Sequence, residues 1–106
     1  MVGYTAGFYF VGNKGVIIKK TMLPELGCKT VIIGNGVEGI ETSGMSYKRE
    51  LEYVYLPESI EYIENYAFQC DAKLKEITIL SKVPEIKDQI FANCPELTTM
   101  TIKNLN

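Results

Sequence analysis

Two stretches decide the fold: LEYVYLPESIEYI at residues 51–63 and LKEITILSKVPEI at residues 74–86, whose apolar residues coincide position by position. The second stretch begins 23 residues after the first. A third, shorter copy begins a further 23 residues along, at Leu97, and the same step backwards from Leu51 reaches Cys28. A fixed period of this length indicates a repeat architecture, in which each copy is one supersecondary unit.

The first half of each copy alternates between apolar and other side chains. Val54 and Leu56 fall on one face and Tyr53 and Tyr55 on the other, which is the pattern of a half-buried strand. One 23-residue unit cannot bury its apolar side alone, whereas stacked copies build a continuous core. The sequence therefore predicts a β-rich stack of repeats, with one half-buried strand and at most one helical turn in each copy.

The N-terminal segment precedes the repeats and differs from them. Two apolar, β-rich runs, at residues 7–11 and 15–19, flank Gly12-Asn13-Lys14, and this arrangement is typical of a β-hairpin. We expect the hairpin to cap the stack, because an uncapped end would leave its apolar face wet. The predicted division is a cap and connection over residues 1–27 and repeats over residues 28–106, with copies at 28–50, 51–73, 74–96 and a partial 97–106.

The repeat unit resembles the BspA-like branch of the leucine-rich repeat family, whose unit runs roughly L-x-x-I-x-L-P-x-x-V-x-x-I-x-x-x-A-F-x-x-C. One copy matches at Leu51, Val54, Leu56, Pro57, Ile60, Ile63, Ala67 and Phe68. The next copy matches at Leu74, Ile77, Ile79, Val83, Ile86, Phe91 and Cys94. The first copy departs from the unit, with Gly34 for the proline and Met45 for the phenylalanine, and Cys70 lies two residues after Phe68 instead of three. The resemblance covers about residues 28–102.

The resemblance implies a curved, right-handed solenoid of parallel strands, with short turns or single helical turns on the other side. Such solenoids are found in surface-exposed proteins of bacteria and some protozoa, where they are used for adhesion and for binding host or partner proteins. It implies no catalytic activity. We therefore predict a module that binds a protein or a glycan, on the cell surface or secreted as part of a longer bacterial protein. The N-terminus lacks the pattern of a signal peptide, so we expect any export signal to lie outside this chain. An intracellular interaction scaffold and a structural spacer in a longer surface protein are the alternatives.

Outward side chains on the strands are the predicted binding residues. Stacking coils about 4.8 Å apart sets equivalent residues in columns. The predicted partner-binding residues are Thr30, Tyr53 and Glu76 in one column and Ile32, Tyr55 and Thr78 in the next; Thr99 and Thr101 continue the two columns. Tyrosine gives a large, rigid contact area with a polar tip and is enriched at interaction hot spots. Tyrosine and threonine also stabilise sheets without binding anything, so a structural role stays open.

Composition excludes several functions. The net charge is −2 and the 11 Lys and Arg residues are scattered, so nucleic acid is not an expected partner. The longest nearly uncharged apolar stretch, residues 4–11, is far shorter than the roughly 20 residues of a membrane-spanning helix, and no membrane insertion is expected.

Catalysis and metal binding lack their usual residues. The chain has no histidine and no CxxC motif, so a zinc site and a histidine-assisted nucleophile are both unexpected. The many glutamates lack the spacing of a calcium loop and are interpreted as solvated charges. We expect no enzyme activity, no metal and no cofactor.

The cysteines and the last copy raise two further expectations. Cys28 and Cys94 fall at inward repeat positions, which predicts buried free thiols; a bridge between Cys70 and Cys94 is the alternative. The last copy contains only its strand, so Met100 and Ile102 have no second half to cover them. Because an open strand edge invites pairing, we predict that the C-terminal coil either continues in a longer natural protein or associates with a second copy of this chain.

Overall fold

The computed structural model describes residues 8–11, 15, 17–18, 29–80 and 88–103. This part of the chain contains a single 3-10 helix, Asp88–Phe91, and eight strands: β1 (Phe8–Val11), β2 (Ile17–Ile18), β3 (Thr30–Ile33), β4 (Gly39–Ile40), β5 (Tyr53–Leu56), β6 (Tyr62–Ile63), β7 (Glu76–Ile79) and β8 (Thr99–Ile102). No helix in these ranges has the length and apolar character to span a membrane. The prediction of a β-rich chain with single helical turns is confirmed.

The strands form two parallel sheets. The larger sheet has the order β1-β3-β5-β7-β8, and the smaller has the order β2-β4-β6. Successive coils therefore contribute one four-residue strand to the larger sheet, and the first three also contribute a two-residue strand to the smaller one. This arrangement confirms the predicted stack of parallel strands.

The strand register gives the step of the solenoid. Thr30 pairs with Tyr53, Tyr53 with Glu76, and Glu76 with Thr99, so each coil advances by 23 residues. The N-terminal step is one residue shorter, because Phe8 pairs with Thr30. The period expected from the sequence is thus the period of the backbone pairing.

The expected N-terminal hairpin is wrong. β1 and β2 lie in different sheets, where β1 pairs in parallel with β3 and β2 pairs in parallel with β4. The physical reason is that this pairing gives each strand a partner in the next coil and places Ile18, which is 0% exposed, in the common core. The predicted turn at residues 12–14 lies outside the described residues.

The core lies between the two sheets and the turns that follow them. The inward residues of β3, β5 and β7 are all buried, namely Val31, Ile33, Val54, Leu56, Ile77 and Ile79. Met45 and Phe68 are completely buried at the next predicted position. Phe91 is half-buried and stacks on Phe68, with ring centroids 5.4 Å apart, while its neighbour Ile90 is the fully buried residue of the 3-10 helix. The predicted inward residues Val83 and Ile86 lie outside the described residues, as does Cys28.

Hydrogen bonds from side chains to the backbone join successive coils, and Ser59 and Asp71 form such bonds between the first two repeats. The Ser59 hydroxyl accepts a bond from the Gly36 N–H at 2.9 Å and donates one to the Val37 carbonyl at 2.8 Å. The buried carboxylate of Asp71 accepts a bond from the Lys48 N–H at 2.8 Å. Because buried backbone groups need partners, these bonds fix where the turns of one coil lie on the next.

A left-handed backbone residue recurs near the end of each coil. Tyr47, Cys70 and Asn93 stand 23 residues apart and have φ values of 59°, 60° and 58°. Asparagine adopts this conformation readily, whereas a bulky side chain is costly there, at about 1 kcal/mol or more. The coils keep this bend at the same repeat position even where the residue type disfavours it.

Candidate binding surface

The outward face of the larger sheet brings the six predicted residues together. Backbone pairing places Tyr53 between Thr30 and Glu76, and it places Tyr55 between Ile32 and Thr78. The burial of β5 alternates as the sequence predicts, because Val54 and Leu56 are buried while Tyr55 is 41% exposed. The other five predicted residues are half-buried.

A cleft lies at the end of this face where the strands finish. It encloses about 230 Å³ and is lined by Ile32, Ile33, Asn35, Tyr55, Leu56, Pro57, Glu58 and Leu80. Ile32 and Tyr55 are therefore the two predicted residues that border a concave site. Thr30, Tyr53, Glu76 and Thr78 lie on the same face but do not line the cleft.

Four cleft residues were predicted neither as binding residues nor as inward strand residues: Asn35, Pro57, Glu58 and Leu80. Each follows a strand of the larger sheet by one or two positions. Pro57 and Leu80 share one repeat position, 23 residues apart, and Asn35 and Glu58 share the next. This shared position after the strand is the signal that could have identified them.

The lining of the cleft is mainly apolar. Side chains of Ile32, Tyr55, Pro57 and Leu80 supply carbon surface, and Glu58 is the charged group at its border. A volume of about 230 Å³ is smaller than the ~300–1,000 Å³ of typical small-molecule sites. The cleft therefore suits a single apolar side chain of a larger partner better than a whole small molecule.

The starts of the strands carry ion pairs between neighbouring coils. Lys73 Nζ lies 3.0 Å from Glu50 Oε1, and Lys75 Nζ lies 3.4 Å from Glu52 Oε1. Both lysines are about half-exposed, so each pair contributes little to stability. The face thus has a charged border where the strands begin and an apolar cleft where they end, and interfaces commonly combine an apolar centre with a polar rim.

The smaller sheet presents an acidic surface around Tyr62. Burial raises the pKa of this phenol above its ordinary value, and the nearby carboxylates of Glu41, Glu64, Glu38 and Glu61 raise it further. These charges disfavour the phenolate, so Tyr62 is a neutral hydroxyl at physiological pH. Across the described ranges, no three His, Cys, Asp or Glu residues are grouped so that they could hold a metal ion.

Comparison with known proteins identifies the repeat. The family described as "BspA type Leucine rich repeat region (6 copies)" matches residues 13–106, a range that includes all six predicted site residues and begins before the predicted first copy at residue 28. A search of curated proteins and a search of solved structures each found no match. Leucine-rich repeats generally mediate recognition between proteins. The chain belongs to the BspA-type leucine-rich repeat family.

Proposed function

We propose that this protein is a recognition module that binds a partner protein through the outward face of its five-stranded sheet. The observation that carries the proposal is the cleft at the strand ends, which Ile32 and Tyr55 border together with Pro57 and Leu80. The family supports it, because leucine-rich repeats are binding modules rather than catalysts. The partner's contact would centre on Tyr55, since it is the most exposed of the predicted residues whose side chains border the cleft.

The cleft favours binding over a purely structural role. A spacer role gives no reason for an exposed tyrosine beside an apolar depression, and Tyr55 stands beside one. Interaction hot spots are typically aromatic residues in or beside such depressions, surrounded by contacts that exclude water. Tyr53, in the adjacent column, extends the aromatic surface toward the charged border of the face.

A protein fits the cleft better than a glycan. Sugar recognition needs several converging polar groups, and the cleft offers the side chains of Asn35 and Glu58 among mostly apolar ones. An aliphatic or aromatic side chain of a partner would instead bury carbon surface at about 25 cal/mol per Å². Adhesion at a bacterial cell surface, within a longer right-handed solenoid, is part of the same proposal and rests on the family resemblance.

Self-association is a second element of the proposal. β8 is the terminal strand of the larger sheet, and its inward residues Met100 and Ile102 are 39% and 50% exposed. The equivalent residues of β7, Ile77 and Ile79, are completely buried. A second copy that covers β8 would remove this apolar surface from water, which supports association through the C-terminal coil.

The test is a binding screen against matrix and cell-surface proteins, with a glycan array beside it. We compare the wild-type protein with a Tyr53→Ala/Tyr55→Ala double variant and with Tyr66→Ala, which removes a tyrosine of similar exposure, 40%, away from the larger sheet. Circular dichroism verifies the fold of each. Two aromatic hot spots are worth about 2 kcal/mol or more, so we expect the double variant to lose at least about 30-fold in affinity, with Tyr66→Ala unchanged.

Three other outcomes of the screen would contradict this proposal, and each would indicate a different alternative. Equal affinity of the wild type and the double variant would move the site off the strand face. Binding confined to the glycan array would replace the protein partner with a sugar. An absence of binding by the wild-type protein would favour the spacer or scaffold alternatives.

A further inference from the structure

Two cysteines share one cleft on the turn side of the coils. This open cleft encloses about 630 Å³ and is lined by Cys70, Ala72, Phe91, Asn93, Cys94 and Pro95. Both Cys70 and Cys94 are free thiols and half-buried. They belong to successive coils, since Cys70 precedes β7 and Cys94 follows the 3-10 helix of the next coil.

A single backbone oxygen holds the two cysteines near each other. The Ala92 carbonyl accepts a hydrogen bond from the Cys70 N–H at 2.9 Å and a long one, at 3.8 Å, from the Cys94 thiol. The same thiol donates at 3.0 Å to the Phe68 carbonyl. Cys70 occupies the same repeat position as Asn93, so the Cα atoms of these two residues are about one coil spacing, or about 4.8 Å, apart. Cys94 follows Asn93 directly, which adds one Cα–Cα step and places the Cα atoms of Cys70 and Cys94 about 6 Å apart. This separation is within the range of disulfides.

The two thiols differ in their surroundings. Burial raises the pKa of Cys94 to about 11, and the charges of Asp71 and Cys70 act in the same direction. Cys94 is therefore a protonated thiol at physiological pH. Cys70 lies beside Tyr47 and raises the pKa of its hydroxyl, chiefly through side-chain hydrogen bonding; because Tyr47 is 56% exposed, Cys70 stands at the solvent side of the cleft.

We propose that Cys70 and Cys94 are a redox pair that closes to an intramolecular disulfide when the protein meets a small-molecule disulfide such as oxidised glutathione. The Cys70 thiolate attacks the glutathione disulfide, which forms a mixed disulfide and releases one reduced glutathione. Cys94 then loses its proton to water, and its thiolate attacks the Cys70 sulfur and displaces the second glutathione. Two protein thiols are oxidised and one small disulfide is reduced to two thiols, so atoms and electrons balance.

The bond would tie two successive coils together. It closes a loop from residue 70 to residue 94, which contains β7 and the 3-10 helix. Cross-linking of this kind stabilises chiefly by restricting the unfolded chain, and for a loop of this length we expect a rise in Tm of about 10 °C or more. The inference is independent of the binding proposal, because the larger sheet's outward face shares no lining residue with this cleft.

The experiment treats the folded full chain with oxidised glutathione, traps remaining thiols with iodoacetamide and measures intact mass and cross-linked peptides. We expect a product lighter by two hydrogen atoms, a peptide pair joining Cys70 to Cys94, and a rise in Tm that dithiothreitol reverses. In Cys94→Ser, verified as folded, Cys70 should retain glutathione as a mixed disulfide, whereas in Cys70→Ser the protonated Cys94 thiol should remain largely unmodified; neither variant should show a rise in Tm.

Two results of peptide mapping would overturn the proposal. Glutathione retained on both Cys70 and Cys94 without closure would overturn it, as would a cross-link from Cys28 to either of them. A Cys28→Ser variant that closes at the wild-type rate would support it, since that variant leaves only the proposed pair.

Discussion

The ring of Tyr62 occupies the space that a side chain at Gly39 would need. A Cβ atom built on Gly39 overlaps three atoms at the far end of this ring. The two residues are direct neighbours in the smaller sheet, where β4 and β6 pair in register. The ring of Tyr62 therefore packs over Gly39 of the preceding coil, and a change at either residue alters what the other tolerates.

Gly39→Ala should destabilise the protein through this overlap. We expect a cost of about 1–3 kcal/mol in the free energy of unfolding, measured by urea denaturation, because the ring must leave its position. The control is the same substitution in a Tyr62→Ala background, where we expect the cost to fall to within about 0.5 kcal/mol of zero. An equal cost in both backgrounds would show that the ring is not the obstacle.

Ser59→Ala should remove two bonds between coils at once. It leaves the Gly36 N–H and the Val37 carbonyl without their side-chain partner, which we expect to cost about 1–3 kcal/mol by urea denaturation. Glu58→Ala, at the exposed neighbouring position, is the matched control and should change stability by less than about 0.5 kcal/mol. The coil contact would be unimportant if the two variants unfolded at the same urea concentration.

Tyr47→Asn should stabilise the protein. Tyr47 has a φ of 59°, its equivalent Asn93 has a φ of 58°, and asparagine tolerates this region better than tyrosine. Because Tyr47 is 56% exposed, little packing is lost, and we expect a gain of up to about 1 kcal/mol, seen as a higher Tm. Tyr55→Asn, which places the same change in a strand, should give no gain. A lower Tm for Tyr47→Asn would mean that contacts of this ring outweigh the backbone preference.

The raised pKa of Cys94 predicts a loss of stability in alkali. The folded state holds this proton more tightly than the unfolded state, whose thiol titrates near 9.0, so the contribution is complete below pH 9 and is lost as pH rises toward about 11. Thermal unfolding under reducing conditions should show that Tm falls across this pH range, and that it falls less in Cys94→Ala than in the wild-type protein. We expect the difference between the two falls to be about 5 °C or less, because the thiol is half-exposed. Parallel curves for the two proteins would contradict the assignment.

Association through β8 predicts a response to charge at Ile102. Sedimentation of the wild-type protein should show dimers or larger species as concentration rises, and Ile102→Lys should shift the equilibrium toward monomer. Thr42→Lys adds the same charge at an exposed position outside β8 and should leave the equilibrium unchanged. A wild-type protein that is monomeric at every concentration would remove self-association from the proposal.

The family resemblance implied that the strands are parallel, and the sequence itself was sufficient to predict the columns of side chains. Two periods carry that information: the 23-residue step decides that Tyr53 lies beside Thr30, and the two-residue alternation decides that both face outward. These periods are strong because every stacked coil must present the same shape to its neighbours.

The N-terminal strands and the cleft could not be predicted in the same way. A short turn between two runs of β-branched and aromatic residues is typical of a hairpin, which is why the sequence predicted one. The observed pairing of Phe8 with Thr30 leaves no trace in the sequence, because the two residues differ in type. The strands β4 and β6 have two residues each, too few to show an alternation. The cleft depends on how turns after the strands lie side by side, and residue type alone does not show that the polar Asn35 borders the same depression as the apolar Pro57 and Leu80.

The uniform register also governs how the chain folds. Among the described strands, each pairing joins residues 22 or 23 positions apart, so each requires a similar, modest loop closure. The paired residues are separated by about a fifth of the chain length, and non-local pairing of this kind is typical of domains that fold in milliseconds to seconds. Since a further coil would add the same closure and no pairing between distant residues, such an array can lengthen without making any single folding step slower.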